Sequence, residues 1–203
     1  EGGGTVINAK EWLEKPGSVG LPWPGSEIRI YDDEGNRLGA GQIGTVYMQL
    51  MADFEYKGDA AKTKANRIEN FFTVGDLGEM DEDGYLYLRD RKADMIISGG
   101  ANIYPAEIEG ELINHPAVQD VAVFGIPNAD WGEEIKAVVE LHEGFEPGDE
   151  LVADILGWAA PRMAKFKLPK SVDFVETLPR EPNGKLIKRK LRDPYWEGID
   201  RQI

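Results

Sequence analysis

The stretch from residue 73 to residue 109 constrains the fold of this chain more than any other part of the sequence. Within it, Asp83-Gly84 lies directly before the alternating residues 85–88, a pattern that predicts a β-hairpin with its turn at the glycine. Residues 95–97 are apolar and predict a short strand that ends in a glycine pair. Pro105 predicts the first turn of a helix, where the N–H that proline lacks would be unpaired in any case. This stretch therefore predicts a sheet that passes directly into a region of mixed strands and helices.

The preceding residues, from about 18 onward, are typical of a strand-rich region. Alternating apolar residues predict strands at 27–31 and 45–50, and residues 59–69 predict a short charged helix. The pattern Gly39-x-Gly41-x-x-Gly44 is similar to a dinucleotide-binding loop. It leads into a strand rather than a helix, so the phosphate-binding arrangement fails and tight turns are the better explanation.

Residues 94–203 alternate between strand and helix patterns. We expect helices over 105–114, from about 150 and over 186–191, and strands over 118–124, 134–141 and 171–175. Pro161 is expected to restart the second of these helices, because proline is tolerated in a first turn but not in a helix interior. The fold class predicted for the chain is α+β, a β-rich part followed by a compact α+β domain.

Composition excludes several classes of protein. The chain has 203 residues, of which 41% are hydrophobic and 30% charged, as is typical of a globular protein with a real core. There is no run of about 18 apolar residues to predict a membrane span, and no segment is similar to a signal peptide. Because the chain has no cysteine, disulfides, zinc–thiolate sites and cysteine nucleophiles are excluded, and a cytoplasmic location is the default expectation.

The net charge of −14 argues against general nucleic-acid binding, because phosphate contacts need clustered lysine and arginine. The basic residues are nevertheless uneven, since ten of the 23 lie between residues 162 and 192. From charge alone, this segment is either a solvated basic face or a local site for a phosphorylated small molecule. His115 and His142 have no acid or serine partner in the sequence pattern and are interpreted as structural.

Three positions carry chemistry by residue type. Asp76 can accept two hydrogen bonds at once, which suits the neighbouring hydroxyls of a ribose, and an aspartate that caps a turn is the alternative. Lys185 ends the segment Pro179-Arg180-Glu181-Pro182-Asn183-Gly184-Lys185 and is either a phosphate-binding cation or one more solvated lysine. Gly99-Gly100 either lets a thin ligand pass close to the backbone or simply forms a turn.

The order of these features resembles the adenylate-forming superfamily, which includes acyl-CoA synthetases, luciferases and the adenylation domains of peptide synthetases. The resembling elements are Thr73-Val74-Gly75-Asp76, the hairpin, Arg91, the stretch SGGANIYPAEIE at residues 98–109 and the segment 179–185. Each element alone is weak, but all of them occur in order between about residues 20 and 192. The sequence of residues 98–109 is most similar to that of the acyl-CoA synthetase branch.

The resemblance implies roles in nucleotide binding. Asp76, Arg91 and Glu1 are expected to bind ATP, with Glu1 also a metal ligand for Mg²⁺, and Lys185 is expected to act in catalysis at the α-phosphate. An arginine that forms a surface ion pair is the alternative for Arg91. Glu1 matches the last residue of a nucleotide-site motif, so the chain is expected to be the C-terminal portion of a larger enzyme.

The resemblance also implies a coenzyme A site, with expected contacts from Gly99, Gly100, Trp131, Phe166 and Lys170. The two aromatic rings would stack on adenine and the lysine would meet a phosphate, although a buried aromatic side chain is the commoner role.

Two domains are implied, residues 1–92 as the β-rich closing part of a large AMP-binding domain and residues 93–203 as a mobile lid, with a hinge at Lys92 and Ala93. Two positions depart from the family pattern. Ala93 lies where the hinge normally has aspartate or lysine, and Leu168 lies where some relatives have an arginine for a coenzyme phosphate.

The activity implied is activation of a carboxylic acid, expected to be a fatty acid, with ATP and Mg²⁺ to an acyl adenylate, followed by transfer to coenzyme A. The isolated chain is expected to be inactive without the N-terminal remainder of the large domain. Two alternatives stay open: a ligase that loads an acyl carrier protein, and a non-catalytic module that binds nucleotide or coenzyme A.

Overall fold

A computed structural model describes residues 3–49 and 60–199, and the chain divides into two compact units, residues 1–92 and 93–203. Each unit has its own sheet and its own apolar core, and the fold class is α+β, as predicted. None of the described helices is both long enough and apolar enough to cross a bilayer.

The first unit is built on an antiparallel six-stranded sheet. Its elements are β1 (Thr5–Val6), α1 (Ala9–Glu14), β2 (Leu21–Pro22), β3 (Ile28–Tyr31), β4 (Gly44–Gln49), α2 (Ala60–Ala65), β5 (Arg67–Ile68), β6 (Phe71–Phe72), β7 (Asp76–Met80) and β8 (Leu86–Arg91). The main sheet runs β5-β6-β4-β7-β8, and β3 also pairs with β4. Strands β1 and β2 form a separate two-stranded ribbon.

The core of this unit follows from the alternation of side chains along its strands. Ile30 and Val46 belong to one buried cluster, whereas their neighbours Tyr31 and Tyr47 belong to another. The predicted hairpin at Asp83-Gly84 is confirmed, since it joins β7 to β8 and Gly84 has a φ of +86°. The turn is glycine-dependent because other residues avoid positive φ.

The predicted helix over 59–69 was only partly right. Residues 60–65 are helical, residue 59 lies outside the described residues, and Arg67–Ile68 instead pairs with β6 as a strand. The turn between β5 and β6 contains Glu69 with a φ of +51°, a conformation that a residue with a side chain seldom adopts. Because the turn consists of Glu69-Asn70 and contains no glycine, no sequence signal predicts this hairpin. The strand predicted at 45–50 is present through residue 49, and Leu50 lies outside the described residues.

The second unit is built on a five-stranded mixed sheet. Its elements are β9 (Ile96–Ser98), β10 (Ala101–Ile103), α3 (Pro105–Leu112), β11 (Val118–Asn128), β12 (Gly132–Leu141), α4 (Asp149–Ala159), β13 (Ser171–Val175) and α5 (Lys188–Arg192), with short 3-10 turns at Lys165–Lys167 and Asp193–Trp196. The sheet runs β10-β9-β12-β11, and β13 pairs with β12 in parallel. Pro105 opens α3, as predicted.

The two faces of this sheet bury different parts of the chain. Val123 faces a cluster that includes Ile108 of α3 and Ile155 of α4, whereas its neighbour Phe124 faces a cluster that includes Leu178 and Leu186. The segment that carries Lys185 therefore lies along the second face of the sheet and is attached to it by apolar contacts.

Two predictions for this unit were wrong. Pro161 does not restart a helix, because α4 ends at Ala159 and Pro161 lies in the turn that follows. The last helix does not begin at Leu186, which forms a β-bridge with Arg180 instead, and α5 covers Lys188–Arg192. In both cases a tertiary contact or turn replaced the local helical preference.

Candidate functional site

Two candidate residues of the first unit lie together, Asp76 at the start of β7 and Arg91 at the end of β8. The two are Cα partners across the sheet, and Arg91 Nε lies 3.3 Å from Asp76 Oδ1. The Asp76 side chain is 25% exposed and the Arg91 side chain 50% exposed. Among the described residues, Asp76 Oδ2 has no hydrogen-bond partner. Asp76 therefore presents one open carboxylate oxygen beside a guanidinium.

The backbone before Asp76 is fixed by a buried threonine. The Thr73 hydroxyl accepts the Gly75 N–H at 3.0 Å, and the Gly75 carbonyl accepts the Lys92 N–H at 2.8 Å. Gly75 has a φ of +85°, which explains why a glycine precedes the aspartate. These bonds hold the turn that presents the carboxylate.

A β-bulge lies next to this pair and was not foreseen from the sequence. The register of β7 and β8 shifts between Leu77, which is opposite Asp90, and Gly78, which is opposite Leu88. Asp90 Oδ1 accepts the Arg91 N–H at 2.7 Å. Because a bulge turns the side chains that follow it, this irregularity sets the direction of the end of β8.

The expected hinge lies within a 3-10 turn over Lys92–Asp94. Lys92 forms an ion pair with Asp33 in the first unit. In the second unit, Arg192 donates to the Ala93 carbonyl at 3.1 Å, and its Nη1 lies 3.5 Å from Asp94 Oδ1. Ala93, which departs from the family pattern, is therefore held through its backbone rather than its side chain.

In the second unit, Lys185 lies on a tight turn. Glu181 and Lys185 are joined by an N–H to carbonyl bond of 2.8 Å, and the Gly184 N–H donates to the Glu181 carbonyl at 2.8 Å. Gly184 has a φ of +87°, and the Lys185 N–H donates to Asn183 Oδ1 at 3.0 Å. The turn is thus closed by its own backbone and by one asparagine side chain.

The Lys185 ammonium is exposed and has no ion pair or hydrogen bond within the part of the chain that the structure describes. Four of the ten basic residues in this segment are neutralised by acids: Lys167 by Glu107, Arg180 by Asp120, Lys188 by Glu109 and Arg192 by Asp94. The basic segment is therefore not a uniform positive face. Lys185 is one of the six that have no acid partner among the described residues, so its ammonium is available for an anion.

Gly99, Gly100 and Trp131 are brought together at the β9–β10 turn. Gly99 has a φ of +58° and Gly100 a φ of +79°. The Gly99 N–H donates to the Trp131 carbonyl at 2.8 Å, and a Cβ on Gly99 would lie 2.5 Å from Trp131 Cε3. Asn128 Oδ1 accepts the Trp131 N–H at 3.0 Å and so fixes the loop that carries the indole. Only glycine at position 99 permits this approach of the ring to the backbone.

A cavity of about 540 Å³ adjoins this turn. Its wall is mainly apolar, with Trp131 61% exposed at its rim and Glu133 buried within it. The residues that line it include Ile97, Pro127, Trp131, Glu133, Trp196 and Ile199. Its size and its lining of aromatic rings with few polar groups are typical of a small-molecule site.

Phe166 and Lys170 are both exposed, contrary to the commoner buried role of an aromatic residue. Phe166 is 54% exposed, and the ammonium of Lys167 lies 5.9 Å from the centre of its ring. Lys170 donates its backbone N–H to the Ile135 carbonyl, which leaves its side chain at the surface. Leu168, at the position where an arginine was expected from some relatives, packs against the main core cluster of the unit, which accounts for its apolar side chain.

Glu1 lies outside the described residues, and within residues 3–49 and 60–199 no three His, Cys, Asp or Glu side chains gather as a metal site would require. The sequence shows no partner pattern for His115, but the fold supplies an acid, because its Nε2 lies 3.2 Å from Asp154 Oδ2. Its Nδ1 accepts the Ala117 N–H and its ring packs edge-on against Trp158. His142 is exposed.

The chain is similar to known enzymes over almost its whole length. The AMP-binding enzyme C-terminal domain matches residues 107–185. The chain is 36% identical to the fatty acid–[acyl-carrier-protein] ligase ScoC of Streptomyces coeruleorubidus, over 100% of this chain and 40% of that relative. It is 38% identical to the long-chain-fatty-acid–CoA ligase FadD13 of Mycobacterium tuberculosis, over 98% of this chain and 39% of that relative.

Solved structures of two enzymes also match this chain. ATP-bound MatB from Rhodopseudomonas palustris matches with a TM-score of 0.81 and 39% identity, over 91% of this chain and 37% of that one. The o-succinylbenzoate CoA synthetase MenE from Bacillus subtilis, in complex with its acyl-adenylate intermediate, matches with a TM-score of 0.82 and 32% identity, over 93% and 38%. The chain spans about two fifths of the length of the curated relatives named above. It belongs to the adenylate-forming superfamily of AMP-binding enzymes, whose C-terminal domain it contains.

Proposed function

We propose that this chain is the C-terminal part of an AMP-forming acyl-CoA synthetase. In the first step a carboxylate oxygen of the acid bonds to the α-phosphorus of ATP and pyrophosphate leaves. In the second step the thiol of coenzyme A gives up its proton to solvent, its sulfur bonds to the acyl carbon, and AMP leaves with the electrons of the broken acyl–oxygen bond. The relatives named as acyl-CoA ligases support this pair of reactions.

The observation that carries the proposal is the unpaired ammonium of Lys185 at the tip of a fixed turn. An ammonium carried on a turn whose backbone is fixed can stabilise charge that develops on the α-phosphate. We assign Lys185 to the first step for this reason. The second step involves a thioester-forming displacement in which this cation has no required part.

Asp76 and Arg91 are proposed to bind the nucleotide. Asp76 Oδ2 is open, and a carboxylate can accept hydrogen bonds from two ribose hydroxyls. The ion pair with Arg91 holds the carboxylate and places a second group of donors beside it. Mg²⁺ is proposed to enter with the phosphates of ATP, because Mg²⁺ in such sites is held largely by phosphate oxygens, water and one or two carboxylates. Glu1 remains the proposed protein ligand.

Coenzyme A is proposed to bind at the turn of Gly99 and Gly100. The glycine turn and the adjoining apolar cavity suit the thin pantetheine arm, and the exposed rings of Trp131 and Phe166 suit stacking on adenine. Lys170 is the proposed phosphate contact. We propose that rotation at Lys92 and Ala93 lets one site serve both steps, since lid movements commonly separate two stages of catalysis.

Activity is proposed to require the remaining part of the large domain, which is consistent with the coverage of the relatives. The proposed acid is a fatty acid, as in the names of ScoC and FadD13, and the cytoplasmic location stays a prediction. A ligase that loads an acyl carrier protein is the second candidate, because the relative ScoC carries that name and matches the whole chain. A binding module without catalysis is the candidate from a different class.

The experiment is carboxylate-dependent exchange of pyrophosphate into ATP by the full-length protein, with short, long and aromatic acids. Exchange with one class of acid supports adenylation and identifies the substrate, and release of the acyl group by coenzyme A or by a carrier protein separates the two ligases. Absence of exchange with every acid, together with measurable nucleotide binding, would move the assignment to the binding module.

A further inference from the structure

We propose that Arg180 is the positioning residue that fixes the direction of Lys185, an inference that rests on the catalytic role proposed for that lysine. The guanidinium of Arg180 makes contacts in two directions. Its Nη1 donates to the Gly184 carbonyl at 2.6 Å, directly before Lys185 in the chain. Its Nε donates to Asp120 Oδ2 at 3.0 Å, and its Nη2 donates to the same oxygen.

The turn that carries Lys185 has little packing of its own. Residues 181–185 are all exposed, so apolar contacts hold only the flanking residues Leu178 and Leu186, and hydrogen bonds orient the turn between them. Its internal bonds close the turn but do not attach its tip to the sheet. The Arg180 to Gly184 bond is the side-chain contact that does so within the described residues.

Asp120 connects this contact to the sheet. It lies on β11 at a register shift, its side chain is 23% exposed, and its Oδ1 accepts the Val121 N–H at 2.9 Å. The carboxylate therefore has one oxygen on the strand backbone and the other on Arg180. A continuous series of bonds runs from β11 through Asp120 and Arg180 to the peptide that precedes Lys185.

This arrangement needs an arginine. The planar guanidinium presents donors on different edges, so it reaches a carboxylate and a carbonyl together, whereas an ammonium on a flexible stem is a single point charge. Arg180→Lys keeps the charge but should lose one of the two contacts. A misplacement of about 1 Å in a catalytic group can cost on the order of 100-fold in rate.

The first test uses the full-length protein with Arg180→Lys and, as a matched control, Arg189→Lys, whose side chain is exposed and has no partner in the described part of the chain. We expect the kcat of adenylation to fall by about 10- to 100-fold in Arg180→Lys, with KM for ATP nearly unchanged. Thioester formation from supplied acyl adenylate should be unaffected, and the control should match wild type. Equal losses in both steps would mean a general structural role and would overturn the proposal.

A double variant separates this inference from the proposed function. If Arg180 acts through Lys185, Arg180→Lys should cause no further loss in a Lys185→Ala background. An additional loss of the same size in that background would refute the positioning role. If Lys185→Ala alone keeps full adenylation, the proposed catalytic role of Lys185 is wrong, whatever Arg180 does.

A second measurement does not depend on activity. The amide of Lys185 is hydrogen-bonded to Asn183, so its hydrogen exchange reports the order of the turn. In the full-length protein we expect exchange of this amide to be about tenfold faster in Arg180→Lys and unchanged in Arg189→Lys. Unchanged exchange in Arg180→Lys would show that the turn is ordered without the guanidinium, and would overturn the inference.

Discussion

Substitution of Gly99 by alanine should move Trp131 without a large additional loss of stability. A Cβ at position 99 would lie 2.5 Å from Cε3 and 2.9 Å from Cζ3 of the indole. Because carbon atoms prefer separations of about 3.5–4.0 Å, the ring must move by about 1 Å or more. Trp131 is 61% exposed, so it can move toward solvent at little cost.

Gly100 provides the matched control. It has a φ of +79° and a Cβ there would meet nothing within 4 Å, so Gly100→Ala introduces backbone strain alone. A left-handed conformation costs a residue with a side chain about 1–2 kcal/mol. Both substitutions should therefore lower the free energy of unfolding by about 1–2 kcal/mol, and only Gly99→Ala should displace the indole.

The assay is urea unfolding of the 203-residue chain, with the indole N–H of Trp131 followed by ¹H–¹⁵N NMR. We expect similar unfolding free energies for the two variants, and a shifted Trp131 resonance in Gly99→Ala alone. In the full-length protein, thioester formation should fall more in Gly99→Ala than in Gly100→Ala. An unshifted Trp131 resonance in Gly99→Ala, or equal shifts in both variants, would refute the argument from close contact.

Three further predictions concern packing, nucleotide binding and pH. Ile108→Ala should lower the free energy of unfolding by about 2–5 kcal/mol, because the side chain is fully buried in the core of the second unit, whereas Ile113→Ala at a 41% exposed position should cost under about 1 kcal/mol. Asp76→Ala should raise KM for ATP by about 10- to 100-fold in the full-length protein, which corresponds to the loss of about 1.5–3 kcal/mol of hydrogen bonding. Hydrogen bonds from the side chain and backbone of Asn36 lower the pKa of Asp32, so the stabilisation of this turn is present above the ordinary pKa and is lost as the pH falls through the lowered one.

The three predictions are checked by unfolding free energies, by KM for ATP and by an NMR titration. Equal unfolding free energies for the two isoleucine variants would mean that the core assignment is wrong. The control for Asp76→Ala is Glu82→Gln, which also removes one negative charge, at an exposed position of the same hairpin. An equal rise in KM for ATP in both variants would remove the case for a ribose contact. An NMR titration of the Asp32 carboxyl should give a pKa below 3.8, and an ordinary or raised value would contradict the hydrogen-bonded turn.

Elements with a strong local cause could be predicted from the sequence. The hairpin at Asp83-Gly84 and the helix that begins at Pro105 depend on the backbone freedom of glycine and the fixed φ of proline, which act within a few residues. The glycine turn at Gly99-Gly100 is of the same kind. The family resemblance added the candidate residues, and the structure describes their surroundings.

Contacts between distant residues could not be predicted in this way. The partner of His115 lies 39 residues further along the chain, and Arg180 lies 60 residues from Asp120. Neither pair has a periodic pattern, because tertiary packing rather than local spacing brings the residues together: Asp154 lies on α4, and Asp120 on β11. The strand that replaced the end of the charged helix depended on a positive φ at Glu69, which residue type does not indicate.

The central claim is that Lys185 serves the adenylation step of a two-step ligase. Its most direct test is a comparison of the two half-reactions in the full-length protein, for wild type, Lys185→Ala and the exposed control Lys190→Ala. We expect Lys185→Ala to lose pyrophosphate exchange by orders of magnitude while it still transfers acyl groups from supplied adenylate to coenzyme A, with the control equal to wild type in both. Retained exchange in Lys185→Ala, or a parallel loss of both half-reactions, would contradict the claim.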